Sequence, residues 1–191
     1  MTFLVYAFKK FRALIIFPII YFLSLAWLLL HYLRRSLGKY EKMPIPVVCV
    51  GNITLGGAGK TPTVIFLASY LKKNNINVHV VSRGYGGKFK DTVFVDRRSH
   101  EAADVGDEPF LISRHANVWV SRKKRDGILA AYEAGADIVL LDDGHQNFSI
   151  EKNISILIFD AETSLKNERI FPIGNLRESL SSAITRADFL I

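Results

Sequence analysis

The sequence predicts an α/β fold, a mostly parallel sheet with helices on both faces, preceded by one hydrophobic helix. Three observations predict it. Short apolar runs alternate with helical patterns from Pro46 onward, as strands buried on both faces do. One of them, Pro46-Val47-Val48-Cys49-Val50, leads through glycines into Gly59-Lys60-Thr61 and a helical pattern. Ahead of these, Ala13 to Leu30 holds eighteen residues without a charge.

The elements follow in order. The apolar stretch runs on through His31 and Tyr32 to Leu33, and its twenty-one residues at about 1.5 Å each reach about 31 Å, close to a bilayer's hydrocarbon thickness. Basic residues flank it, and Trp27 and Tyr32 suit an interface. The helix is therefore expected to associate with a membrane, by spanning it or by lying on its surface. Pro18 is expected to kink it. Lys39 to Pro46 reads as a linker, dividing the chain into residues 1–42, helix and linker, and residues 43–191, the α/β core. Within the core, strands are expected at 46–50, 77–81, 92–95, 118–121, 137–141 and 154–159, and helices at 60–73, 109–114 and 126–134. The last five residues, Ala187-Asp188-Phe189-Leu190-Ile191, read as the middle of another apolar strand.

Charge separates these two parts. The formal charge is +7, and residues 1–42 carry +6 of it, from Lys9, Lys10, Arg12, Arg34, Arg35, Lys39 and Lys42 against Glu41. The core is nearly neutral, which argues against a nucleic-acid partner. The single cysteine, Cys49, has no internal disulfide partner and fits a reducing compartment. It reads as a small core residue.

The stretch Thr54-Leu55-Gly56-Gly57-Ala58-Gly59-Lys60-Thr61 has the arrangement of a phosphate-binding loop, so the fold reads as P-loop NTPase-like. Glycines let consecutive N–H groups turn toward one point, and the next helix adds its positive end. Lys60 is placed for the β/γ-phosphates of ATP, and Thr61 for Mg²⁺. Thr54 stands where the general pattern has glycine. Asp142-Asp143-Gly144 ends an apolar run, where P-loop proteins hold the Mg²⁺ shell. Two adjacent carboxylates there need a cation or donors to offset their repulsion.

Other stretches are more ambiguous. Ser82-Arg83-Gly84-Tyr85-Gly86-Gly87 opens at the same sheet edge, as a phosphate or sugar loop or as a plain connection. Asp104, Asp107 and Glu108 suit helix caps, and a carboxylate among them suits a general base for an attacking hydroxyl. Arg122-Lys123-Lys124-Arg125 reads as a solvated basic run. Arg177 serves a transferring phosphate or a local carboxylate, and His145 has no metal-site spacing.

Together these stretches resemble the tetraacyldisaccharide 4'-kinases, which phosphorylate the lipid A precursor at the inner membrane. The matching residues are Val50 to Pro62, Ser82 to Gly87, Gly106-Asp107-Glu108-Pro109, Asp142-Asp143-Gly144 and Gly174-Asn175-Leu176-Arg177-Glu178. They occur in the family's order, cover nearly the whole chain, and include Thr54, which is normal for that family. The resemblance implies ATP and Mg²⁺ bound by Lys60, Thr61, Asp142 and Asp143. It implies that Asp107 activates the sugar 4'-hydroxyl of tetraacyldisaccharide 1-phosphate, with Glu108 near the metal and Arg177 directed at the phosphates. It also implies a location on the cytoplasmic face of the inner membrane.

Two departures are visible. The family usually follows Asp-Asp-Gly with an apolar residue, Gln and His, whereas here His145, Gln146 and Asn147 follow. Family members also continue into a second, smaller domain that supplies a histidine and closes over the nucleotide. On that comparison the chain reads as a truncated or split kinase. Two rival readings differ in class: a membrane-attached regulatory ATPase of the partitioning type, and an inactive nucleotide-binding remnant. The former usually has lysine before the glycine pair, where this chain has Leu55.

Overall fold

The computed structural model describes residues 2–57, 59–159 and 169–191. Helix α1 (Thr2–Ser36) runs as one element through Pro18. The core then alternates β1 (Val47–Asn52), α2 (Lys60–Lys73), β2 (Val78–Ser82) and β3 (Val93–Phe94). Next come α3 (Ala102–Val105), α4 (Asp107–Ile112), β4 (Asn117–Val120), α5 (Lys124–Glu133) and β5 (Ile138–Asp142). Finally come β6 (Ile154–Ile158), α6 (Leu180–Ile184) and β7 (Phe189–Leu190). The expected strands and helices form, with ends shifted by a few residues. The four-residue α3 is an addition, marked in the sequence only by the Glu101–Asp104 capping box.

Among the described residues the sheet has seven strands in the order β3-β4-β2-β5-β1-β6-β7. Every pairing is parallel except β3 with β4. Alternation along β1 sends Val48 and Val50 to one face and Val47 and Cys49 to the other. The first face packs on Val64 and Ala68 of α2 and Ile112 of α4. The second packs on Ile128 and Ala131 of α5. Covering both faces explains why the strands read as unbroken apolar runs; each fully buried valine or leucine contributes about 1.5–3 kcal/mol.

The strand order also fixes where ligands gather. After β1 the chain crosses to β2 on one side, and after β5 it returns past β1 to β6 on the other. The carboxyl end of β1 is therefore the switch point at which an open α/β sheet leaves a crevice.

Helix α1 is not detached from this core. Ser24, Trp27, His31 and Arg35, spaced along one face, reach the segment 170–186. Ser24 Oγ donates to the Ile170 carbonyl at 3.3 Å, and Trp27 Nε1 to the Arg177 carbonyl at 2.9 Å. Arg35 donates to Ser182 Oγ at 3.0 Å. The opposite face leaves Phe22, Leu29 and Leu33 exposed. By length and composition Ile16–Ser36 suffices to cross a membrane.

Candidate functional site

At the end of β1 the chain turns into the glycine loop, and its anchor is Asn52. The Asn52 side chain is buried and donates to the Thr54 carbonyl and hydroxyl and to the Gly56 carbonyl, at 3.0, 3.1 and 3.3 Å. Its Oδ1 accepts from Lys60 Nζ at 3.0 Å. Lys60 is buried at the start of α2, and Thr61 is half-buried beside it. Gly59 caps α2 at φ +80°, a conformation that favours glycine. Gly56 and Gly57 lie exposed with open space around them. Leu55 is also exposed, and Ala58 lies outside the described residues.

A distant segment braces this loop. Thr54 pairs antiparallel with Leu176, Leu55 N–H donates to the Asn175 carbonyl at 2.8 Å, and Arg177 N–H to the Ile53 carbonyl at 2.7 Å. That pairing carries Arg177 over the end of β5, where its guanidinium meets both oxygens of Asp143 at 2.9 Å. Of the two partners the sequence allowed for Arg177, a phosphate or a local carboxylate, the structure provides the carboxylate.

Asp142 and Asp143 stand at the end of β5 beside the loop. Asp142 is 1% exposed, and its Oδ2 accepts from Ser82 Oγ at 2.8 Å. Its carbonyl accepts from Lys124 Nζ, which also reaches the Val81 carbonyl at 3.2 Å. Lys124 is only 6% exposed, so the basic run 122–125 is not uniformly solvated. The start of α5 turns Lys124 inward to answer two strand-end carbonyls and offset the paired carboxylates. Burial lowers the Lys124 pKa, while Asp142 and Asp143 oppose that shift. Asp142 Oδ1 and Arg177 Nε remain buried without a partner.

Asp107 and Glu108 occupy the first turn of α4 and are both exposed at the rim. Desolvation, and then the charge of Asp142, raise the Glu108 pKa, while Lys60 and Arg177 pull it down. Glu108 therefore shares one electrostatic neighbourhood with Lys60, Asp142, Asp143 and Arg177. The turn that delivers it is fixed by close approach: Gly106 has φ +98°, and a Cβ there would sit 2.6 Å from the Tyr85 carbonyl. The glycines of 82–87 thus serve at least partly as packing positions, since a Cβ on Gly87 would meet the Asp104 carbonyl at 2.6 Å.

His145 is 1% exposed, with Nδ1 3.1 Å from Ser155 Oγ and Nε2 3.2 Å from the Ala183 carbonyl. It fills the apolar position of the family pattern, with its polar atoms satisfied; burial lowers its pKa to about 4. Among the described residues no group of three His, Cys, Asp or Glu side chains forms a metal cluster. A concavity of about 430 Å³ near Phe94, Arg97 and Asn117 lies at the opposite end of β4 from these residues.

Several residues that build the site were not among the sequence candidates. Asn52, Ser82 and Gln146 lie inside the quoted motifs or next to them, yet nothing in their spacing distinguishes them. Lys124 and Glu178 are visible only once distant segments meet.

The arrangement is similar to known proteins. A family model described as Tetraacyldisaccharide-1-P 4'-kinase matches residues 12–191. A Tetraacyldisaccharide 4'-kinase of Dinoroseobacter shibae is 50% identical over 147 residues, 77% of this chain and 44% of that protein. One of Caulobacter vibrioides is 42% identical over 174 residues, 87% of this chain and 52% of that protein. A crystal structure of LpxK from Aquifex aeolicus in complex with ATP superposes with a TM-score of 0.80 at 36% identity. That alignment covers 88% of this chain and 56% of the solved one. The chain thus spans about half the length of the curated relatives it matches.

Proposed function

The chain belongs to the tetraacyldisaccharide 4'-kinase family, and from that premise we propose that it transfers the γ-phosphoryl group of ATP to the 4'-hydroxyl of tetraacyldisaccharide 1-phosphate. The products are ADP and the 4'-phosphorylated lipid A precursor. Family membership sets the partitioning-type ATPase aside. The observation that carries the reading is the convergence of Lys60, Asp142, Asp143 and Arg177 on one strand-end crevice, with Asp142 Oδ1 and Arg177 Nε buried and unpartnered. A buried carboxylate oxygen and a buried guanidinium N–H without partners are costly unless a ligand completes them.

In this reading residues 54–61 hold the ATP phosphates through backbone N–H groups, and Lys60 leaves Asn52 for the β/γ-phosphates. Thr61, Asp142 and Asp143 are the residues that hold Mg²⁺, which when bound neutralises charge on the phosphate oxygens. Asp107, exposed at the rim, accepts the 4'-hydroxyl proton as the sugar oxygen attacks the γ-phosphorus and the bond to the β–γ bridging oxygen breaks. Glu108 supports the metal side of the crevice. Arg177 offsets charge on the transferring group. In-line transfer of this kind depends mainly on positioning and charge.

Residues 1–42 act as the membrane attachment and residues 43–191 as the kinase core. The exposed apolar face of α1 meets the inner membrane on its cytoplasmic side, where ATP is present and the acylated substrate resides. No nucleic acid takes part.

The test is labelled ATP with Mg²⁺ and tetraacyldisaccharide 1-phosphate in mixed micelles. Label transfer to lipid that is lost in Lys60→Ala and Asp107→Ala supports the reading. Hydrolysis without lipid labelling refutes it, and nucleotide binding with neither activity identifies an inactive remnant.

A further inference from the structure

Besides the Trp27 bond to the Arg177 carbonyl, one carboxamide links the candidate site toward helix α1 through Glu178. Gln146 Nε2 donates to the Asn52 carbonyl at 2.9 Å and to Glu178 Oε1 at 3.1 Å. Its Oε1 accepts from the Arg177 guanidinium at 3.2 Å. Only one orientation of the amide satisfies two acceptors on one side and a donor on the other. Beyond these partners, Asn52 holds Lys60 and Arg177 holds Asp143.

The Glu178 branch leads outward. Glu178 is fully buried, and Arg186 Nη2 meets its two oxygens at 2.7 and 2.6 Å. Ser182 Oγ donates to it at 3.3 Å, and His31 Nε2 of α1 lies 3.3 Å from Oε2. A buried carboxylate keeps its position only while its donors stay in place. The His31 contact is a close approach of charge rather than a formed hydrogen bond. Its loss leaves the carboxylate to Arg186, Ser182 and Gln146, the last of which shares one of its oxygens.

We propose that Gln146 is a positioning residue that keeps Arg177 on Asp143 and Asn52 under Lys60, and that its setting depends, through Glu178, on the seating of α1 at His31. The proposal rests on the reading of the strand-end crevice as the phosphate site. It makes the helix that meets the membrane part of the geometry of the nucleotide loop.

The experiment uses the full chain in lipid nanodiscs, with two readouts. One is the affinity for a fluorescent ATP analogue with Mg²⁺. The other is hydrogen–deuterium exchange at the amides of Leu55 and Arg177, which bridge the loop to its brace. Gln146→Leu is expected to weaken nucleotide binding roughly tenfold, the usual effect of removing a supporting contact behind a ligand site, and to speed exchange at both amides. His31→Leu, at the outer end of the relay, is expected to produce the same changes more weakly. The double variant is expected to lose no more than Gln146→Leu alone, because both act on one path.

Multiplying effects in the double variant overturn the proposal. So does faster exchange in His31→Leu that stays confined to α1. If Gln146→Leu does not fold, exchange at Leu55 and Arg177 in His31→Leu decides alone. A wild type that binds no nucleotide refutes the proposed function, while the exchange readout still judges the relay.

Discussion

Lys124 donates its buried ammonium to the main-chain carbonyl of Asp142, whose side chain borders the strand-end crevice. The charge stands behind the two aspartates, on the core side of the strand ends. Replacing it with an apolar chain of similar length removes both the donor and the offset to Asp142 and Asp143. Lys124→Met is expected to lose about 1–3 kcal/mol of stability, the cost of leaving buried carbonyls unpaired, measured by urea unfolding. Unchanged stability would show that water replaces the ammonium.

Acid should weaken the fold in two windows. The His145 pKa is lowered from 6.5 to about 4, chiefly by burial and then by the charge of Arg186. The unfolded chain therefore binds the extra proton first, and stability falls as pH drops from about 6.5 through 4. Burial acts to raise the Glu178 pKa, but contacts from His31 and Arg186 outweigh it and bring it from 4.5 to about 2. Its contribution is complete above about 4.5 and is lost toward 2. Each window is worth on the order of 3 kcal/mol. Urea midpoints across pH should show both, and His145→Leu should abolish the upper one.

Gly106 aims the first turn of α4 at the crevice from a positive φ, with the Tyr85 carbonyl where a Cβ would go. Gly106→Ala is expected to cost about 1–3 kcal/mol and to displace Asp107 and Glu108. Calorimetry would register the first effect, and a fall in kcat larger than any change in the KM for ATP the second.

Asp142→Asn retains an oxygen for Ser82 and so keeps the strand end intact. It removes the charge that a divalent cation needs. Nucleotide affinity measured in EDTA should be unchanged, while the gain on adding Mg²⁺ should shrink by about tenfold. An equal Mg²⁺ gain in both proteins would assign the cation to other groups.

Much of the fold was legible because its signals are local. The run into Gly59-Lys60-Thr61 marks β1, the loop and α2 within one short stretch, and the valine-rich runs mark strands buried on both faces. Cys49 was readable as a core residue for the same reason. What stayed hidden depends on segments that meet from afar. Lys124 looks like its basic neighbours until α5 turns it beneath the β2 and β5 ends. Glu178 looks like a surface residue until Arg186 and His31 close on it from opposite directions in the chain. Gln146 shows no sign of its three partners, all of which lie in other segments. The candidate site residues sit in local motifs, but the contacts that hold them do not, because hydrogen-bond partners carry no spacing rule.

The bridge between Thr54 and Leu176 also sets an order of assembly. The nucleotide loop belongs to the first third of the chain, and its brace is made more than a hundred residues later. During synthesis the loop leaves the ribosome without the segment that shapes it. The emerging polypeptide therefore gains a finished glycine loop only after residues 175–177 have joined it, so the fold's earliest motif is among the last parts of it to be completed.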